Sequence, residues 1–303
     1  MTQHAGVGTS TIRRAATRDT LGSRLRRRIP RIALHGTVLL ICAIWLVPTL
    51  SLLVTAARPA ALLFSNGWWH VVTSPGQLTL ENFREVIETG GLGRSFLNSV
   101  AIVVPVTVAT VLLGSIAGYA FAWMRFPGRR FLLVAIIGLL ALPVQVTLVP
   151  VLQIFSTLEL AGTFPAAWIA YTAYTLPFAV FLMRSFFLTL PYEILEAAEV
   201  DGATVLTTWL RVAMPMAAPA LASLATLVFV WTWNDLLVSL VFLGSSASVA
   251  PMPVTIANLI GSQGQGQELL AAGAVLSLAL PVAVFFALQR YFVSGIAAGA
   301  VKG

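Results

Sequence analysis

The sequence predicts an all-α, polytopic membrane protein with six transmembrane helices and both termini in the cytoplasm. Three observations predict it. Of 303 residues, 58% are hydrophobic and 10% charged, with a mean hydropathy of +0.90, whereas soluble domains are about 45–50% apolar and about 25% charged. Six charge-free runs exceed the roughly 20 residues that cross about 30 Å of hydrocarbon: 32–57, 95–124, 131–158, 160–183, 212–234 and 269–289. Basic residues fall on one side of those runs, 15 against 3. Such a composition excludes disorder, and it excludes a soluble enzyme, which could not hide this much apolar surface from water.

The first element is a basic tail, 1–31, with eight arginines. It is expected to be cytoplasmic and partly disordered. Arg26-Arg27-Arg28 resembles the flank of an export signal. The apolar run that follows, 32–57, is about 26 residues, too long for the 7–15-residue core of a cleaved signal. It is expected to be a retained first span. Residues 58–94 then form an extracytoplasmic loop.

The second run, 95–124, contains Gly114-Ser115-Ile116-Ala117-Gly118, a small-xxx-small spacing that lets two backbones approach closely. Pro143 and Pro177 are candidates for functional kinks in the third and fourth runs. The fifth helix is placed at 217–242, because 244–267 is rich in Ser, Gly, Gln and Pro and reads as a loop. Asp235 is then the only charge inside a span, in the outer third of that helix.

Orientation follows from the positive-inside rule. With the N-terminus inside, 1–31, 125–130, 184–211 and 290–303 carry the 15 basic residues, and the outside loops carry Arg58, Arg84 and Arg94. Only 184–211 departs, with two arginines against Glu193, Glu196, Glu199 and Asp201. Something besides topology selects those acids.

Several chemistries are missing from the sequence. Lys302 is the sole lysine and is followed only by Gly303, so no Walker A loop exists and the chain is no ATPase. There is no His-Glu-x-x-His and no Gly-x-Ser-Gly. One cysteine, Cys42, and three histidines cannot build a structural zinc site. The basic pI reflects membrane anchoring rather than nucleic-acid binding. Asp235 alone is little for an ion-coupled carrier.

The acidic loop carries one sharp motif. Apolar positions 194, 195 and 198 make 192–199 a short amphipathic helix. Asp201-Gly202 is a turn signal, 203–211 can form a second helix, and Pro215 suits the first turn of the fifth span. Together they make a helix-turn-helix knob. Ala197 and Ala198 let a partner surface come close, and Glu196 gives it a charge.

The order Glu196-Ala197-Ala198, Gly202, Val212, Met214-Pro215 resembles the EAA loop of permease subunits of bacterial ABC importers, with Met for the usual Leu. Glu81-Asn82-Phe83, Phe96-Leu97-Asn98-Ser99, Gly118-Tyr119-Ala120-Phe121-Ala122 and Phe126-Pro127-Gly128-Arg129-Arg130 are similar to the core of carbohydrate-uptake permeases. So is Trp233-Asn234-Asp235. The tail from Gln289 to Gly303 resembles the MalG-like branch. The resemblance covers about residues 78–303.

It implies a type I importer permease with a MetI-like core, here 95–292, and a coupling loop at 190–215. Glu196, Ala197, Ala198, Asp201, Gly202, Ala203 and Pro215 are the implied ATPase-coupling residues. Gly299, Ala300, Val301, Lys302 and Gly303, in the tail 293–303, are implied ATPase contacts. The implied partners are a second, MalF-like permease, two copies of a cytoplasmic ATPase that hold the ATP and Mg, and an extracytoplasmic binding protein. No cofactor is expected on this chain, and the expected place is the bacterial inner membrane. The expected cargo is a sugar; a glycerophosphodiester, a polyol, or action as a self-sufficient carrier are the alternatives. Trp233, Asn234, Asp235, Tyr171 and Tyr174 have the stacking and hydrogen-bonding chemistry for a sugar pathway.

Overall fold

A computed structural model describes residues 21–261 and 265–300. Among these, four helices are long and apolar enough to cross a membrane, and two further pairs are bent, for up to six spans. The first helix runs Leu21–Ala56, so it starts inside the stretch expected to be tail. Its apolar side chains from Leu34 to Leu50 are exposed.

The loop that follows is ordered around Arg58, which is fully buried. Its guanidinium donates to Asn66 Oδ1 and to the carbonyls of Leu62 and Asn66. Asn82 closes the knot by donating to the Ala56 and Arg58 carbonyls at 2.9 and 2.8 Å. A buried charge is tolerated only when its donors are met. Here neutral oxygens meet the two terminal nitrogens, while Nε is buried without a partner.

The second span, Leu92–Trp123, is 32 residues, about 48 Å long at 1.5 Å per residue. It crosses the fourth, Phe164–Phe187, at the predicted small residues. A Cβ on Gly114 would lie 2.5 Å from the Ala179 Cβ, and one on Gly118 would lie 2.7 Å from the Met183 Cβ. Thr110 and Thr175 share a buried hydrogen bond of 2.8 Å across the same interface. Such bonds contribute about 0.6 kcal/mol each, so the close backbone approach is the larger effect.

The third run is not one helix. Arg129–Leu139 and Val144–Thr157 meet at 102°, and Pro143 caps the second piece in extended conformation. This is the expected kink, made as a full break. Pro177 lies inside the unbroken fourth span and breaks nothing.

The fifth span differs most from its expected limits. It starts at Ala218 with Pro219 in its first turn and ends at Asn234. A separate helix, Leu237–Leu243, follows. The break falls at Asp235–Leu236, on the one charged residue that was expected inside a continuous span. The last helix, Gln267–Ala300, extends well past the expected 289.

Two cores hold the bundle. One gathers Ile102, Val106, Leu148, Met183, Phe187, Leu224 and Phe242; the other joins Ala56, Val86, Leu92, Val103, Trp233, Met252 and Ala272. The loop after the fifth span is tied to the start of the second. Asn98 donates to the Ala250 carbonyl at 3.0 Å, and Ser99 accepts from the Met252 amide at 2.8 Å. The predicted motif residues Asn82, Asn98 and Ser99 are thus fasteners of the loops after the first and fifth spans.

Candidate functional site

The acidic loop folds as the sequence predicts up to Val200. Tyr192–Val200 is an α-helix with Leu195 buried and Glu193, Glu196, Ala197 and Glu199 exposed. Gly202 takes φ +79. The Gly202 amide bonds the Glu199 carbonyl at 3.0 Å and the Ala203 amide bonds the Ala198 carbonyl at 2.9 Å. This is the Schellman pattern, which satisfies the last carbonyls of a helix and requires a left-handed residue at its turn. Thr204 then caps the next helix by accepting from the Thr207 amide.

From Val205 the chain runs through a π turn at Trp209–Ala213 and on to Met216. It then bends 80° into Ala218–Asn234. Pro215 therefore belongs to the knob's stem and not to the span; Pro219 takes the place expected for it.

The tip of the knob exposes Val200, Val205 and Leu206 beside Glu196 and Asp201. Its stem is anchored. The Trp209 indole donates to the Ser115 hydroxyl at 3.1 Å, and Ser115 donates to the Met214 sulfur at 3.1 Å. Ser115 sits between Gly114 and Gly118, where the second span meets the fourth. A displacement of the knob therefore has a polar connection to the tightest packing in the bundle. Sequence reading missed Trp209 and Ser115 as partners, because they are 94 positions apart.

A second feature lies beside the breaks in the third and fifth spans. A cavity of about 390 Å³ is lined by residues of both and of the fourth span, including Gln145, Tyr171, Tyr174, Trp231, Thr232 and Asp235. Asp235 Oδ1 accepts from the Tyr171 hydroxyl at 2.9 Å and from the Val238 amide at 2.7 Å. Tyr171 also shares a 2.7 Å bond with Ser239. Tyr174 accepts from Thr147 at 3.0 Å.

Three of the five expected pathway residues thus converge: Tyr171, Tyr174 and Asp235. Trp233 does not. It is buried in the second core, stacked on Phe229, with its indole donating to the Ser277 carbonyl. Asn234 is exposed, caps its own helix through the Val230 carbonyl, and does not line the cavity. Trp231 and Thr232 were missed. They stand four and three residues before Asp235, on the same helical face, and that spacing was the available signal. In the C-terminal tail, Gly299 and Ala300 continue the last helix. Val301, Lys302 and Gly303 lie outside the described residues.

Known proteins share this architecture. The structure of a bacterial ABC transporter that imports the acidic polysaccharide alginate contains a chain that aligns over 90% of this one and 98% of its own length, with a TM-score of 0.71 at 21% identity. That similarity shows the fold. By sequence, the osmoprotective compounds uptake permease protein GgtD of Synechocystis sp. is 46% identical over 275 residues, 90% of this chain and 92% of GgtD. The alpha-glucoside transport system permease protein AglG of Rhizobium meliloti is 45% identical over 236 residues, 76% of this chain and 62% of AglG. The family model for binding-protein-dependent transport system inner membrane components matches residues 110–298, which contain both the knob and the cavity. This chain belongs to that family and is a multi-pass, non-catalytic permease subunit of an ABC importer.

Proposed function

We propose that this chain imports α-glucoside-class sugars and takes its drive from a cytoplasmic ATPase through residues 190–215. The observation that carries the reading is the exposed, Schellman-closed knob. Glu196, Ala197, Ala198, Asp201, Gly202 and Ala203 form its tip, and Pro215 lies in its stem. The knob offers a partner apolar contacts and acids together. The family implies a partner permease, an ATPase and a binding protein in general terms. The finer reading is a MalF-like partner, two ATPase copies that hold ATP and Mg, and a place in a bacterial inner membrane. The tail residues Gly299 to Gly303 then reach the ATPases from the cytoplasmic end of the last helix. The cargo rests on AglG, whose name specifies alpha-glucosides.

GgtD, named for osmoprotective compounds, favours a second reading in which the cargo is a small polyol. The test is uptake by the purified importer in vesicles with its binding protein. Labelled trehalose should enter on ATP addition, and Glu196→Lys and Gly202→Pro variants should insert normally yet lose transport. Transport at the parent rate by either variant would remove the coupling role. Uptake of a polyol in place of trehalose would establish the second reading.

A further inference from the structure

The turn between the second and third spans carries chemistry that neither coupling nor cargo uses. No acid occurs in the sequence between Glu88 and Glu159, while Arg125, Arg129 and Arg130 crowd together. Gly128 takes φ +77 and turns the chain there. All three arginines line one recess of about 510 Å³, together with Phe126 and Phe131. Arg129 is already committed. It donates to the carbonyls of Phe121, Ala122 and Met124 at 2.6, 3.1 and 3.1 Å, which satisfies the end of the second span. Arg125 and Arg130 are exposed, and among the described residues no carboxylate pairs with any of the three. Like charges gathered around one recess repel unless an anion shares it.

The kind of anion follows from what adjoins the recess. The helix Arg129–Leu139 begins there and has no buried residue. Arg130, Val134 and Ile137 stand at i, i+4 and i+7, on one helical face. Val134 and Ile137 are 69% and 40% exposed, and Phe131 beside them is 76% exposed. The helix has 11 residues, which span about 16 Å, half of the roughly 30 Å hydrocarbon core. Cationic groups thus sit at the head of an apolar strip one leaflet deep. A phospholipid has the complementary pattern, with a phosphate at the surface and an acyl chain below it. A soluble phosphate would match only the head. The ATPase is the rival occupant, because Tyr192 at the start of the knob lies 5.6 Å by ring centroids from Trp123, just before the arginines. A partner in water would leave the apolar strip uncovered.

We propose that this recess binds an anionic membrane phospholipid, with Arg125 and Arg130 holding its headgroup phosphate and an acyl chain lying along Val134 and Ile137. Two unmatched guanidiniums favour a headgroup with net negative charge over a zwitterionic one. The site is independent of the cargo reading.

The test is the thermal midpoint of the detergent-extracted importer, titrated with short-chain phosphatidylglycerol, short-chain phosphatidylcholine or inorganic phosphate. A ligand that binds only the folded state raises the midpoint with its concentration. Phosphatidylglycerol should do so in the parent, and the other two should not. Its apparent affinity should fall about five-fold in Arg125→Gln or Arg130→Gln, and about thirty-fold in the double variant, from the worth of each arginine toward an anionic membrane. The single variants serve if the double one does not fold. A variant that is merely less stable would start at a lower midpoint and keep the parent's concentration dependence. Parent-like affinity for phosphatidylglycerol in the glutamine variants would overturn the site. So would an equal response to inorganic phosphate, which makes the ligand a soluble anion, or to phosphatidylcholine, which leaves the charges without a role. Loss of the ATPase from the glutamine variants in every lipid would assign the arginines to that partner instead.

Discussion

Gly202 is held by conformation rather than by space. A Cβ there would meet nothing within 4 Å, yet its φ is +79. An L-residue in that region costs about 1–2 kcal/mol. Gly202→Ala should therefore lower the knob's stability by about that amount without a clash. The checkable outcome is graded: ATPase binding by Gly202→Ala should fall between the parent and Gly202→Pro. Asn tolerates the left-handed region better than Ala, so Gly202→Asn should be the milder of the two. Equal loss in Ala and Asn variants would show that side-chain room at the partner surface, not backbone strain, makes glycine necessary. Asp235 gives the second residue-scale test. Asp235→Asn keeps an acceptor for Tyr171 and Val238, whereas Asp235→Ala leaves the Val238 amide unmet at about 1–3 kcal/mol and Tyr171 with Ser239 alone. The thermal midpoint of the purified complex should fall more for Ala than for Asn.

At the scale of elements, the crossing of the second and fourth spans is the strictest constraint. Gly114 and Gly118 face Ala179 and Met183 at distances no Cβ occupies. Gly118→Leu should force the helices apart, break the Thr110–Thr175 bond and reduce membrane accumulation of the folded chain. Gly138→Leu, which meets nothing within 4 Å, should be tolerated. Gel filtration of the two detergent-extracted variants separates the outcomes. This crossing was legible in the sequence because small-xxx-small is a local spacing with a physical reason. So were the knob's first helix and its turn, which depend on residues within twelve positions. The break at Asp235 was not. One acid between two apolar stretches barely lowers the mean hydropathy, and although Asp235 caps the next helix locally through the Val238 amide, its other partner, Tyr171, is 64 positions away. Trp233 was misread for a related reason. Trp suits a pathway, a core or an interface equally well, and only the neighbours Phe229, Phe96 and Ser277 decide between them.

For the whole molecule, the decisive quantity is which side of the membrane each loop faces. Fifteen basic residues against three predict the knob inside and the Arg58 loop outside. The knob's acids oppose that count locally, so that loop alone would predict the opposite orientation. Both the coupling reading and the cavity's place between outer delivery and inner drive depend on the global count being right. Cys42 is the only cysteine, which makes the chain convenient for a direct test. In a Cys42→Ser background, Glu196→Cys should react with a membrane-impermeant maleimide in inside-out vesicles and resist it in right-side-out ones. Ser246→Cys, on the exposed turn after the fifth span, should do the reverse. The two labels must exchange together, because an odd number of crossings between Glu196 and Ser246 is what makes residues 218–243 a span despite its break. Labelling of both from one side would turn those residues into a re-entrant hairpin and place the cavity at a membrane surface. In that case ATP-driven closure at the knob could not act across the bundle. Labelling from opposite sides keeps residues 218–243 as a span that leads from the knob across the membrane.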